Sequence, residues 1–217
     1  MSDAIDPPID FRLIELLSSR LCHDLVGPIG AVNNGMELML DEEFQAGDDA
    51  IQLVTRSARQ TSDLLQFYRL AYGSAGGQVA PPIEELFTLA GKFLVHARVT
   101  LDWAERGTAP ELPRGAAKLL LNLVALAQEG LPRGGEIRLL IRPRGARLAL
   151  DLVASGTDAG FRDEVKAGLT DGVAVKDLSP RSVQGYFTRL LAARLGSRLV
   201  IEQPATGAIR LSLVLGG

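Results

Sequence analysis

Apolar residues recur at helical spacing along the first third of the chain. Ile14, Leu17, Leu21, Leu25, Pro28, Val32, Met36 and Met39 follow one another at intervals of three and four. Such spacing lines one face of a helix. A polar break covers residues 41–49. Ile51, Val54, Ala58, Thr61, Leu65, Tyr68 and Tyr72 then repeat the alternation. The pattern predicts two long helices joined by a short acidic loop. One hairpin with apolar seams has little to bury against, and four helices complete a bundle. A homodimer is therefore expected, a four-helix bundle built from residues 9–75 of two chains about a twofold.

Gly73-Ser74-Ala75-Gly76-Gly77, followed by Pro81-Pro82, interrupts this pattern and marks a boundary. Residues 1–75 are read as a dimerisation unit and 76–217 as a second domain. Beyond the boundary, 82–96 reads as a helix, 99–103 as a strand and 114–128 as a helix rich in Leu and Ala. Strands over 136–142 and 147–153 flank Pro143-Arg144-Gly145-Ala146, a hairpin signal. Residues 161–169 form a short helix. Ser179-Pro180 opens another, with Ser as cap and Pro in the first turn, and Gly196 ends it. Strands over 198–202 and 208–215 close the chain. Separate runs of helices and strands imply an α+β sandwich with an antiparallel or mixed sheet.

Composition narrows the class. Of 217 residues, 47% are apolar and 23% charged, the ordinary globular range. A net charge of −3 argues against nucleic acid as a partner. The charge is uneven: residues 1–75 hold 5 Arg and 12 Asp plus Glu, leaving a surplus of basic residues in the remainder. One Cys excludes an intrachain disulfide and fits a reducing compartment. No run approaches a membrane span of about 18 apolar residues, and the start lacks the pattern of a secretory leader. The expectation is a cytoplasmic protein with no membrane contact.

Candidate chemistry centres on His23 and its neighbour Asp24. At about 100° per residue, His23 lies well off the seam of Leu21 and Leu25, facing solvent. Ser19, Arg20, Val26, Gly27, Gly30 and Asn34 share its face. The glycines leave the backbone open to close approach by another macromolecule. Gly27 and Gly30 each cost a helix about 1 kcal/mol, and the interior Pro28 costs about 3 kcal/mol. Unbroken apolar spacing across Pro28 predicts one kinked helix rather than two short ones. Asp24 is placed to hydrogen-bond the ring and fix its tautomer, and Arg20 to pair with phosphate oxygens. Cys22 is expected to be packed. His96 stands alone, and one Cys with two scattered His gives no metal spacing. Arg138, Arg142, Arg144 and Arg147 make a basic hairpin, read as a solvated edge or a contact for an acidic partner.

His23-Asp24-Leu25-Val26-Gly27-Pro28-Ile29 resembles the phosphoacceptor box of sensor histidine kinases. The run from Leu119 through Asn122 to Ala127 resembles the Asn-box helix of their ATP-binding domain, and Gly134-Gly135-Glu136-Ile137-Arg138 the segment after it. The resemblance has gaps. Leu126 stands where a second Asn holds Mg²⁺ on the nucleotide, and Ala154 where an Asp reads adenine. Ser182-Val183-Gln184-Gly185-Tyr186-Phe187 replaces the glycine-rich lid. A triphosphate needs metal ligands, charge partners and open backbone amides, so ATP is not expected to bind.

An intact His box with a degenerate ATP domain is similar to the ChpT-like histidine phosphotransferases of alphaproteobacteria. Arg20-Leu21-Cys22-His23-Asp24-Leu25 and Gly30-Ala31-Val32-Asn33-Asn34-Gly35 carry that likeness. It implies a phosphorelay. His23 takes a phosphoryl group from the receiver domain of a hybrid kinase and passes it to the receiver domains of response regulators. No cofactor of its own is implied, Mg²⁺ coming with the receiver. Gly27 stands where many kinases carry a water-positioning Thr or Asn, so hydrolytic phosphatase activity is not implied. Two other readings stay open: an ATP-dependent sensor-type kinase, and a non-catalytic dimeric adaptor that docks receivers.

Overall fold

The computed structural model describes residues 10–40, 48–74, 81–103 and 111–216. The acidic loop, except Asp48 and Asp49, and most of the glycine linker lie outside them. Helix α1 (Phe11–Leu40) and helix α2 (Asp48–Ala71) form the expected hairpin. Asp10 starts α1, its Oδ1 accepting the Arg12 amide at 2.9 Å. The helix runs unbroken through Pro28, which is buried. Packing of that ring offsets the missing amide. Further along, α1 and α2 nearly touch: a Cβ on Gly35 would lie 2.6 Å from Val54 Cγ2.

The second half contains helix α3 (Ile83–Val95), strand β1 (Val99–Trp103), helix α4 (Ala116–Glu129), strands β2 (Gly135–Arg144) and β3 (Arg147–Ser155), and helix α5 (Asp163–Leu169). A 3-10 turn (Val175–Asp177), helix α6 (Val183–Arg194) and strands β4 (Val200–Ala205) and β5 (Ala208–Leu215) complete it. The sheet is mixed, in the order β1-β2-β3-β5-β4. Only β1 runs parallel to its neighbour; the other pairs are antiparallel. The β2–β3 hairpin closes on Gly145, whose φ of 63° only glycine adopts freely. Residues alternate between faces along β3. Leu148, Leu150, Leu152 and Ala154 enter the core, under α4. On the opposite face Arg210 reaches Asp151 at 2.7 Å, and Arg138 reaches Asp102 at 3.2 Å. This is the expected α+β sandwich.

Of four observations, the first and third correct an expectation and the second and fourth add to the sequence reading. First, α6 begins at Val183, not at Ser179-Pro180. Ser179 and Ser182 turn on each other instead, the Ser179 amide donating to Ser182 Oγ at 2.8 Å. Second, the hairpin seam is split between two faces. Ile14, Met36, Ile51 and Leu65 are exposed in the single chain, whereas Leu13 and Leu16 are buried against Leu178 and Val183. Third, Cys22 is exposed. Fourth, the hairpin shares the core of the second half: Leu64, Phe67, Tyr68 and Ala71 of α2 are buried with Phe93, Leu120 and Leu139. Phe67 stacks on Phe93, centroids 3.9 Å apart.

Asn122 ties the halves together. Fully buried on α4, its Nδ2 donates to the Ala71 carbonyl at 2.7 Å and to the Lys118 carbonyl at 2.8 Å. Its Oδ1 accepts from Gln184 Nε2 at 3.0 Å. Gln184 Oε1 in turn accepts from the Tyr72 hydroxyl at 2.5 Å. Replacing Asn122 with Ala leaves the Ala71 carbonyl without its donor, while Gln184 Nε2 keeps the Asn122 carbonyl and Thr188 Oγ1. A stranded buried group costs about 1–3 kcal/mol. Urea unfolding of Asn122→Ala is expected to show stability lowered by about 1–3 kcal/mol, seen as a lower midpoint at unchanged slope; an unchanged midpoint would refute the tie.

Candidate functional site

His23 projects from the middle of α1 with its side chain 89% exposed. The imidazole sits at the mouth of a cleft of about 860 Å³ between α1 and the second half of the chain. Ser19, Arg20 and Asp24 line its α1 wall; Gln128 and Glu129, at the end of α4, lie opposite. The solvent-facing position expected from the helical spacing is thus the observed one.

Asp24 lies beside it, 31% exposed, with Oδ1 at 3.4 Å from His23 Nδ1. The other oxygen, Oδ2, accepts the Tyr68 hydroxyl from α2 at 2.7 Å. The ring contact expected of Asp24 is present. Tyr68 in that role was not anticipated, although Tyr68 and Tyr72 at i, i+4 put two phenols on one face of α2.

Arg20 sits where the face assignment puts it but points inward. Its side chain is 16% exposed and its guanidinium is ion-paired with Glu129, itself 12% exposed. Its Nε lies 4.0 Å from Asp24 Oδ2. Arg20 is thus a cross-link between α1 and α4 on the wall of the cleft that His23 lines. Burial drives this, because the cleft floor desolvates both charges and each needs the other. Burial pushes the Glu129 carboxyl up to about 7, and Arg20 opposes that shift only in part.

Val26 and Asn34 are exposed, as are Ser19 and Gly27; Gly30 is half-buried. A Cβ built on Gly27 or Gly30 would meet nothing within 4 Å, so the chain's own packing requires neither glycine. His96 is not alone: its Nε2 lies 3.1 Å from Asp63 Oδ2, where α2 meets α3. Among the described residues no group of three His, Cys, Asp or Glu could hold a metal.

The positions of the degenerate boxes are packed. Leu126 and Ala154 are buried in the main core. Tyr186, half-buried, packs on the small cluster of Leu13, Leu16, Leu178 and Val183. Gln184, in place of the lid, is fully buried.

Comparison with known proteins agrees with this architecture. The family model of the histidine phosphotransferase C-terminal domain matches residues 83–207. A curated relative, protein phosphotransferase ChpT of Brucella abortus (strain 2308), is 35% identical over 202 residues, covering 88% of this chain and 90% of its own. A solved bacterial phosphotransferase, 30% identical, superposes with a TM-score of 0.81 over 96% of this chain and 98% of its own. The class is thereby that of a protein phosphotransferase. Within it, the chain belongs to the histidine phosphotransferase family.

The raised Glu129 pKa has a sign that can be measured. In the unfolded chain this carboxyl titrates near its ordinary 4.5, and in the folded chain near about 7. The folded state holds the proton longer, so Glu129 contributes stability below pH 4.5 that is lost as pH rises through about 7. Glu129→Gln removes the titration. In urea unfolding at both ends of that window, the wild-type protein is expected to lose stability relative to Glu129→Gln as pH rises. A constant difference between the two would contradict the burial argument.

Proposed function

We propose that this chain is a phosphorelay intermediate in which His23 accepts a phosphoryl group from the aspartyl phosphate of one receiver domain and yields it to another. The observation that carries the reading is the pairing of an open, carboxylate-backed imidazole with packed apolar residues at the nucleotide positions. In the transfer, His23 Nε2 attacks phosphorus. The P–N bond forms as the P–O bond to the receiver carboxylate breaks, and the bond pair returns to that carboxylate. The proton stays on Nδ1, where Asp24 offsets the positive charge that develops on the ring. Mg²⁺ is supplied by the receiver. Leu126 and Ala154 offer neither a metal ligand nor an adenine acceptor, which supports transfer without ATP.

Receivers are proposed to dock along Ser19, Val26, Gly27, Gly30 and Asn34, where absent side chains let a partner helix approach the α1 backbone. The exposed stripe of Ile14, Met36, Ile51 and Leu65 supports a homodimer through the hairpin. It lies on a different side of α1 from His23, so each protomer would present one acceptor on an outer flank. Among the described residues no helix is long and apolar enough to cross a membrane. The relay is proposed to run in the cytoplasm, where receiver domains of response regulators would meet it, without nucleic acid.

Two experiments test this. The first incubates the protein with a phosphorylated receiver, or with labelled Mg-ATP alone. Label is expected on His23 from the receiver and none from ATP. His23→Ala should fold but carry no label, and Gly30→Arg should fold yet transfer at least tenfold more slowly by blocking backbone approach, on the order of the energy of one docking contact. Relay by His23→Ala, or self-labelling with ATP, would overturn the reading. The second is sedimentation at micromolar concentration. A dimer is expected, converted to monomer by Leu65→Asp, which would desolvate a carboxylate in the interface.

A further inference from the structure

Asp24 is held from two sides before it meets His23. Its Oδ2 accepts the Tyr68 hydroxyl at 2.7 Å and faces Arg20 Nε at 4.0 Å. Oδ1 is the oxygen left to the ring, 3.4 Å from Nδ1. The Tyr68 ring cannot drift. It is buried, edge-on to Phe67 of its own helix and to Phe93 of α3, and tilted against Tyr72 5.5 Å away. The hydroxyl is therefore aimed by the packing between α2 and α3, which belongs to the main core and not to the acceptor helix.

We propose that Tyr68 is a positioning residue for phosphoryl transfer: its hydroxyl turns Asp24 so that Oδ1 receives Nδ1–H of His23, leaving the Nε2 lone pair facing the incoming phosphorus. This rests on the reading of His23 as the acceptor. A histidine with 89% of its side chain exposed has no wall of its own to fix its tautomer. Asp24 alone, a short side chain on a solvated helix, has several rotamers. A donor on Oδ2 selects the one that serves the ring, as an outer partner orients an inner ligand in metal sites. Burial, together with the Asp24 charge, holds the Tyr68 phenol above the usual tyrosine range. It thus remains a donor throughout the neutral range.

The test is Tyr68→Phe, which keeps the ring and its stacking and removes only the hydroxyl. In full-length, nitrogen-15-labelled protein, long-range nitrogen–proton correlation reads the tautomer of each histidine about two pH units above the usual His value. The wild type is expected to show His23 chiefly as the Nδ1–H form. In Tyr68→Phe the His23 population should move toward Nε2–H, while His96, bonded to Asp63, keeps its pattern as an internal control. Transfer from a phosphorylated receiver should slow on the order of tenfold. In an Asp24→Asn background, Tyr68→Phe should have little further effect, because the hydroxyl acts through the carboxylate. Slower transfer with an unchanged His23 tautomer, or a changed tautomer with wild-type transfer, overturns the proposal. A fully additive double variant does the same. If instead His23→Ala itself relays phosphate, the acceptor reading fails, and that result is independent of the tautomer measured in the wild type.

Discussion

The burial of the last two turns of α2 in the second half of the chain sets the geometry of everything else. Phe67, Tyr68 and Ala71 belong to the same core as α3, α4 and the sheet, and Asn122 closes that contact by holding the Ala71 carbonyl. A polar side chain at the centre of an apolar core is tolerated only when its groups are satisfied. Asn122 meets that condition with bonds to α2, α4 and α6 at once. Breaking the junction would strand several polar groups together, so the hairpin and the sheet unit are coupled rather than tethered. His23 therefore has a fixed position above the cleft, although the residues that fix it lie on other elements.

The same junction fills the positions whose sequence resembles a kinase nucleotide site. Asn122 turns its amide to protein partners. Four residues on, Leu126 is buried apolar surface, as is Ala154 on β3. Gln184 and Tyr72 bridge the space between α6 and α2, and Tyr186 carries α6 onto the foot of α1 through Leu13 and Leu16. Each of these side chains faces the chain itself. The sheet unit then acts as a rigid wall beside α1.

Much of this was legible in the sequence, for identifiable reasons. Periods of 3.6 and 2 gave most helices and strands to within a few residues, because most of these elements have one solvated face; α4, buried nearly all round, was read from its run of Leu and Ala. The outward placement of His23 follows from spacing alone. Less legible were positions whose role depends on contacts distant in sequence. Arg20 looks like a surface residue until Glu129, 109 positions later, meets it. Leu13 and Leu16 lie off the counted seam because α1 has two apolar faces, one toward α6 and one exposed. Ser179-Pro180 carries the chemistry of a helix start, but the Ser179–Ser182 turn satisfies those groups first. Tyr68 reads as one more seam residue, and only the structure shows its hydroxyl on Asp24.

Helix α1 itself combines poor local propensity with strong tertiary support. Gly27, Pro28 and Gly30 would together cost an isolated helix about 5 kcal/mol. Pro28 recovers part of that by burial, and Gly35 permits the close approach of α2. Gly27 and Gly30 recover nothing within the chain, since added Cβ atoms would meet no neighbour. Their cost is borne by the core that α2 joins, where Phe67 and Phe93 stack. The core thus reaches the site through Tyr68, whose hydroxyl bonds Asp24. The core keeps the hairpin folded, and the helix one turn from His23 stays bare enough for a partner's backbone to reach the imidazole. A chain that placed bulky side chains there would gain helix propensity and lose the open surface beside His23.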